Sequence, residues 1–148
     1  MHVCRLWREI ALQSPYIWSH INLTKLSLAG VTEILARAKM SPLHFEAKIT
    51  PWKEARFDEF GIQPNAHISH IRCLTISGQF QTVLERLESP APALVSLSLT
   101  QSPLPGLLSQ CIIPDCLFKR TEPKLTRLEL QGCSIGWKSP QLGINVVI

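Results

Sequence analysis

Along this chain an apolar residue, two spacers, an apolar residue, one spacer and a further apolar residue recur as a unit. The fullest copy is Leu125, Leu128 and Leu130, followed by Cys133 and Ile135. The same frame fits Leu94, Leu97 and Leu99 with Ser102 and Leu104, and Ile71, Leu74 and Ile76 with Gln79 and Gln81 behind. Upstream it fits Met40, Leu43 and Phe45, and then Trp18, Ile21 and Leu23 with Leu26 and Leu28 behind. Taking the middle residue of each copy, positions 21, 43, 74, 97 and 128 are spaced by 22, 31, 23 and 31 residues. Successive strand residues point to opposite faces, so the last two apolar residues of each unit share one face.

Such units bury their apolar faces only by stacking on one another, so the pattern predicts parallel strands sharing a continuous core. Periods of roughly 20–29 residues are those of leucine-rich repeats, and longer ones accommodate small insertions. The expected fold is α/β: a curved leucine-rich-repeat-like solenoid of about five short parallel strands, with helices and loops on the convex side. Helical spacing fills the gaps. Leu28, Val31, Leu35 and Ala38 share a face, with Ser27 as cap and Pro42 as stop. Phe80, Val83, Leu84 and Leu87 repeat the pattern ahead of Ser89 and Pro90. Between Pro51 and His70, Phe57 and Phe60 predict a short helix ending at Gly61, and Pro64 a further turn leading to Ile68 and Ile71. Residues Pro103 to Pro123 read as coil with short helical turns.

The outward positions of these strands are the expected partner-binding surface, the concave strand face. They are Asn22, His44, Glu46, Thr75, Ser77, Ser96, Ser98, Thr100, Arg127, Glu129 and Gln131, with His20, Thr24 and Cys73 beside them. Concave repeat surfaces carry recognition in solenoid proteins.

Composition narrows the function classes. With 148 residues, 45% hydrophobic and 18% charged, the chain can bury a core and is too apolar for disorder. A net charge of +4 without a dense basic run argues against a nucleic-acid footprint. No apolar run approaches the ~18 residues of a membrane span, and residues 1–20 lack a signal-peptide stretch, so a cytoplasmic or nuclear protein is expected. The five cysteines (Cys4, Cys73, Cys111, Cys116 and Cys133) then read as free thiols. Cys111 and Cys116 lack two further ligands nearby, so no zinc site and no other metal or cofactor is expected. The five histidines are dispersed and read as surface residues, and the four tryptophans as buried anchors. No nucleophile elbow, phosphate loop or paired metal-ligating histidines occur, and the adjacent Asp58 and Glu59 diverge on a helix. The chain is not expected to be an enzyme.

The first residues resemble a known family. Val3-Cys4-Arg5-Leu6-Trp7-Arg8-Glu9-Ile10-Ala11, followed by Ser14-Pro15-Tyr16-Ile17-Trp18, resembles the C-terminal half of an F-box. The stretch Ile113 to Phe118, then Pro123-Lys124-Leu125, Leu128 to Leu130, Gly132-Cys133 and Gly136-Trp137, is similar to the receptor region of F-box proteins of mushroom-forming fungi. The resemblance implies a partial F-box at 1–19, with its C-terminal helix and closing segment, and a repeat domain at 20–148. It implies the substrate receptor of an SCF-type, cullin-based ubiquitin ligase, with a protein substrate on the repeats. A Skp-type adaptor and cullin join it where the full F-box is present. Val3, Cys4 and Trp7 correspond to the last F-box helix, partly core and partly adaptor interface. The leading L-P-x-E half of that motif is not in the sequence. A further strand is expected near position 150, just past Gly143 to Val147, together with a terminal cap. The expectation is therefore of a product shortened at both ends. The alternatives are an interaction scaffold without a ligase role and a non-functional truncated product.

Overall fold

The computed structural model describes residues 4–50, 67–87, 89–102, 111–114, 117–118, 124–135 and 146–147. It opens with helix α1 (Arg5–Gln13) and a one-turn 3-10 helix (Pro15–Trp18), and continues into strand β1 (His20–Asn22). Helix α2 (Leu28–Ala38) connects β1 to β2 (Leu43–Ile49). A 3-10 turn (Ile68–His70) precedes β3 (Ile71–Gly78), and α3 (Gln81–Arg86) connects β3 to β4 (Ser96–Gln101). Then come β5 (Cys111–Ile113), β6 (Arg127–Gln131), β7 (Cys133–Ile135) and β8 (Val146–Val147). No helix among the described residues is long and apolar enough to cross a membrane.

Six strands form one sheet in the order β1-β2-β3-β4-β6-β8, and every neighbouring pair is parallel. The α/β class and the parallel sheet are as the repeat pattern predicts. Alternation along each strand sets the two faces. In β2, Leu43, Phe45, Ala47 and Ile49 are buried, while Glu46 and Lys48 are exposed. The inward residues form one register row through Ile21, Phe45, Leu74, Leu97 and Leu128. They join Val31, Leu35 and Ala38 of α2, and Val83 and Leu84 of α3, in a single buried cluster.

The helices start and stop where their residues dictate. The Ser27 hydroxyl accepts from Gly30 N at 3.2 Å, satisfying one of the first-turn amides of α2. The helix gives way at Lys39, whose φ of 52° leaves the right-handed region ahead of Pro42. Phe80 stands just before α3 and is fully buried.

Four expectations need correction. The second repeat is centred on Phe45 rather than Leu43, because Ile21 pairs with Phe45 and Phe45 with Leu74. The spacings in register are therefore 24, 29, 23 and 31. A two-residue slip keeps every side chain on its face, so the apolar pattern alone does not detect it. Secondly, residues 103–123 are not all coil. Within them β5 pairs in parallel with β7, Cys111 opposite Cys133, as a separate two-stranded sheet. Thirdly, the strand expected near position 150 is β8, whose Val146 pairs with Leu128. Finally, the sheet is not curled, so its outer face is not a concave one. A solenoid bends when a wide element backs every narrow strand, strands being about 4.8 Å apart. Among the described residues the backing differs from strand to strand: eleven residues in α2, three in the 3-10 turn and six in α3. The helical turns expected between Pro51 and Pro64 lie outside the described residues.

Candidate functional site

The outer face of the sheet brings all eleven strand residues of the predicted surface together in three register rows. Along the first run His20, His44, Cys73, Ser96 and Arg127. The second holds Asn22, Glu46, Thr75, Ser98 and Glu129, and the third Lys48, Ser77, Thr100 and Gln131. None of these side chains is buried. Lys48 joins this face beyond the residues expected there: it lies two residues past Glu46, and alternation alone assigns it to the same side.

Hydrogen bonds across the strands fix the polar rows. Asn22 Nδ2 donates to Glu46 Oε2 at 2.8 Å, and Asn22 Oδ1 accepts from Thr24 N at 3.0 Å. Thr24 Oγ1 accepts from Lys48 N at 3.1 Å, so the end of β1 is tied to β2 through side chains as well as the ladder. Along β6 the Arg127 guanidinium grips Glu129 through Nε at 2.9 Å and through its second nitrogen. That hydrogen bond, then the guanidinium charge, holds the Glu129 carboxyl below its ordinary range.

A register irregularity between Leu43 and His44 leaves Arg72 as an extra residue between Ile71 and Cys73. Beside it the imidazoles of His20 and His44 stack with centroids 4.4 Å apart and planes 19° from parallel. Partial burial, then His20 and Arg72, hold the His44 pKa below its ordinary value. These two histidines, Asn22, Glu46, Cys73 and Thr75, with Ile21 and Phe45 beneath, line a groove of about 210 Å³. That is smaller than the roughly 300–1,000 Å³ typical of small-ligand clefts. Nor does any group of three or more His, Cys, Asp or Glu among the described residues make a metal site.

A second surface lies on α1. Trp18 secures the helix by donating from Nε1 to Ala11 O at 2.7 Å, while Arg37 packs over its ring at 4.6 Å. The helix itself buries no residue. Leu6, Trp7 and Ile10 are all exposed, Trp7 at 68%, and so are Tyr16 and Ile17 beyond it. Of the three positions expected to match the F-box, Cys4 is exposed just before α1 and Trp7 stands in the open on it, while Val3 lies outside the described residues. Trp7 is therefore not the buried anchor expected of it, because α1 packs none of its residues into the core. Trp18 is half-buried, and Trp52 and Trp137 lie outside the described residues.

The surface reading of the histidines fails at His70, which is buried, with neither ring nitrogen hydrogen-bonded among the described residues. Burial and then the neighbouring His67, whose ring meets it edge-on at 5.4 Å, lower its pKa. For His70 and His44 alike the folded chain resists protonation. As pH falls through about 6.5 the unfolded chain takes up these protons first. Stability is thus full above that pH and declines as pH drops towards the folded pKa values. The urea midpoint is expected to be lower at pH 5 than at pH 7.5, with a smaller difference in His70→Phe. An equal pH difference in that variant and the parent would show that the His70 ring is hydrated.

Comparison with known proteins gives no match to a family model, to a curated protein or to a solved structure.

Proposed function

We propose that this chain is a non-catalytic protein-binding module, its strands leucine-rich-repeat-like units and its outer sheet face the surface that receives a protein partner. One observation carries the reading. All-parallel sheets are ordinarily covered on both faces, and their strands are apolar throughout. Here the strands alternate, and exposed Glu46, Lys48, Thr75, Arg127 and Gln131 leave one face polar and open. Its rows of hydroxyls, amides and charges suit hydrogen bonding to a polypeptide, and the small groove beside them does not suit a substrate cleft.

Within that reading, the resemblance of Val3 to Trp18 to an F-box end makes the chain the substrate-recognition part of a cullin-based ubiquitin ligase in the cytoplasm or nucleus. The exposed apolar face of α1 is then the adaptor side, and the sheet holds the protein to be modified. The mechanism is tethering: holding the substrate near the conjugating enzyme raises the effective concentration of its lysines.

The test is co-expression with a Skp-type adaptor. The chain is compared with a version carrying the N-terminal half of the F-box ahead of Met1, once both show a cooperative thermal melt. The extended version is expected to co-purify with the adaptor, and Trp7→Ala in it to weaken that binding about tenfold or more without changing the melt. Folded protein that never carries the adaptor would remove the ligase assignment and leave an interaction scaffold.

A further inference from the structure

Cys111 and Cys133 meet because β5 and β7 pair, and the repeat pattern, which includes Cys133 alone, does not anticipate that meeting. They are direct register partners on adjacent parallel strands. Such partners lie about 4.8 Å apart and point to the same side of the sheet, within the roughly 4.4–6.8 Å between Cα atoms that a disulfide spans. Both side chains face the core: Cys111 is 1% exposed and belongs to the buried cluster, and Cys133 packs against it, partly open. Each is a free thiol. The Cys111 thiol donates to Gln81 Oε1 at 3.1 Å. The same Gln81 side chain accepts from Ile112 N and donates to Ile112 O, both at 3.0 Å, so β5 is held against α3. The Cys133 Sγ lies 3.6 Å from Gln131 O and 4.0 Å from Leu99 O.

We propose that Cys111 and Cys133 form a reversible disulfide that staples β5 to β7. The oxidant is a small disulfide such as oxidised glutathione. The partly open Cys133 thiolate attacks one glutathione sulfur, forming a mixed disulfide and releasing one glutathione thiolate, which takes up the proton Cys133 gave to solvent. The Cys111 thiolate then attacks Cys133 Sγ, forms the protein disulfide and expels the second glutathione. Two protein thiols lose two electrons and two protons, and one glutathione disulfide becomes two glutathione thiols.

The surroundings of the pair set its rate. Burial, and then the neighbouring Cys133, push the Cys111 thiol up to about 12, and burial raises Cys133 as well. Only the thiolate attacks, so the reaction is slow near neutrality and quickens about tenfold per pH unit between pH 7 and 9. The pair therefore stays reduced through brief exposure and closes under sustained oxidation.

The experiment uses the full chain with all five cysteines. Reduced, folded protein is incubated with oxidised glutathione at pH 8, its remaining thiols are blocked with N-ethylmaleimide, and it is digested with trypsin and with a protease cleaving before Asp115. Those cuts separate Cys111, Cys116 and Cys133. The expected product is a Cys111–Cys133 cross-linked peptide lighter by two hydrogens than its two parts, with a raised urea midpoint that dithiothreitol returns to its starting value. Cys133→Ser should show neither, and the wild-type map stands alone if that variant does not fold. Cys111 joined to a different cysteine, or cross-linking only after the chain is unfolded in urea, overturns the proposal. So does a pair still reduced at saturating oxidant.

Discussion

Gly78→Ala is expected to lower stability by about 3–5 kcal/mol, combining the cost of a strained backbone with that of overpacking. Gly78 ends β3 at φ +105° and pairs with Ile49 at the end of β2. A Cβ there would lie 1.8 Å from Ile49 O and 2.9 Å from Ile49 C, so backbone would have to move. That same oxygen accepts from Gln79 N at 3.1 Å, and Gly78 O accepts from Ser102 N at 3.1 Å. Shifting either strand end therefore disturbs β2, β3 and the exit from β4 together. Gly132→Ala is the control. Its φ is +69°, but the nearest atoms to an added Cβ are Gln101 Cβ at 3.0 Å and Gln101 O at 3.4 Å, a far milder approach than the 1.8 Å at Gly78. About 1–2 kcal/mol is expected there, mainly the left-handed backbone penalty. Urea unfolding followed by circular dichroism compares the two. If Gly78→Ala lies within about 1 kcal/mol of the parent, β2 and β3 do not approach as closely as the backbone indicates.

That close approach was invisible in the sequence, where Gly78 is one more small residue after an apolar strand. The strands were legible because each inward pair, such as Leu97 and Leu99 or Leu128 and Leu130, alternates with hydroxyls or charges. Their α/β order was legible too, since α2 and α3 show helical spacing between them. Register was not. Centring the second strand on Leu43 sets Asn22 opposite His44, whereas the chain sets it opposite Glu46 and His20 opposite His44. One two-residue slip thus concealed both the stacked imidazoles and the Asn22–Glu46 hydrogen bond, although every residue was assigned to the correct face.

The pairing of β5 with β7 was hidden for a different reason. Cys111-Ile112-Ile113 and Cys133-Ser134-Ile135 are three residues each, too short for a period to register. Their partnership is non-local, and a single chain carries no signal of it. Cys133 was expected to follow a strand as a small polar residue bonding exposed backbone. It does follow β6, with its Sγ 3.6 Å from Gln131 O and 4.0 Å from Leu99 O, but it also begins β7, which that expectation did not include. Likewise, the resemblance to an F-box implied a helix here and Trp7 read as a buried anchor, but only the packing shows that α1 leaves Leu6, Trp7 and Ile10 open.

Phe80→Ala is expected to cost about 3–5 kcal/mol, the range for removing a fully buried aromatic ring. Domains of this kind hold only about 5–15 kcal/mol in all, so this one change removes a large share. Phe80 has 0% exposure and is among the largest fully buried side chains. It stands where β3 turns into α3, and Leu84 N donates to its carbonyl at 3.0 Å, so the ring and the first turn of α3 share one position. Phe80→Leu keeps the backbone bond and most of the volume, and should cost under about 1.5 kcal/mol. A similar large loss in both variants would assign the effect to the shape of the ring rather than to the cavity left by its removal. Trp7→Ala, by contrast, removes a larger ring from the open face of α1 and should shift stability by no more than about 0.5 kcal/mol. The contrast links packing to function: apolar area at Phe80 holds the fold, and the area at Trp7 is available to a partner. A large loss from Trp7→Ala would mean that α1 is packed against the body and that its apolar face is not a docking surface.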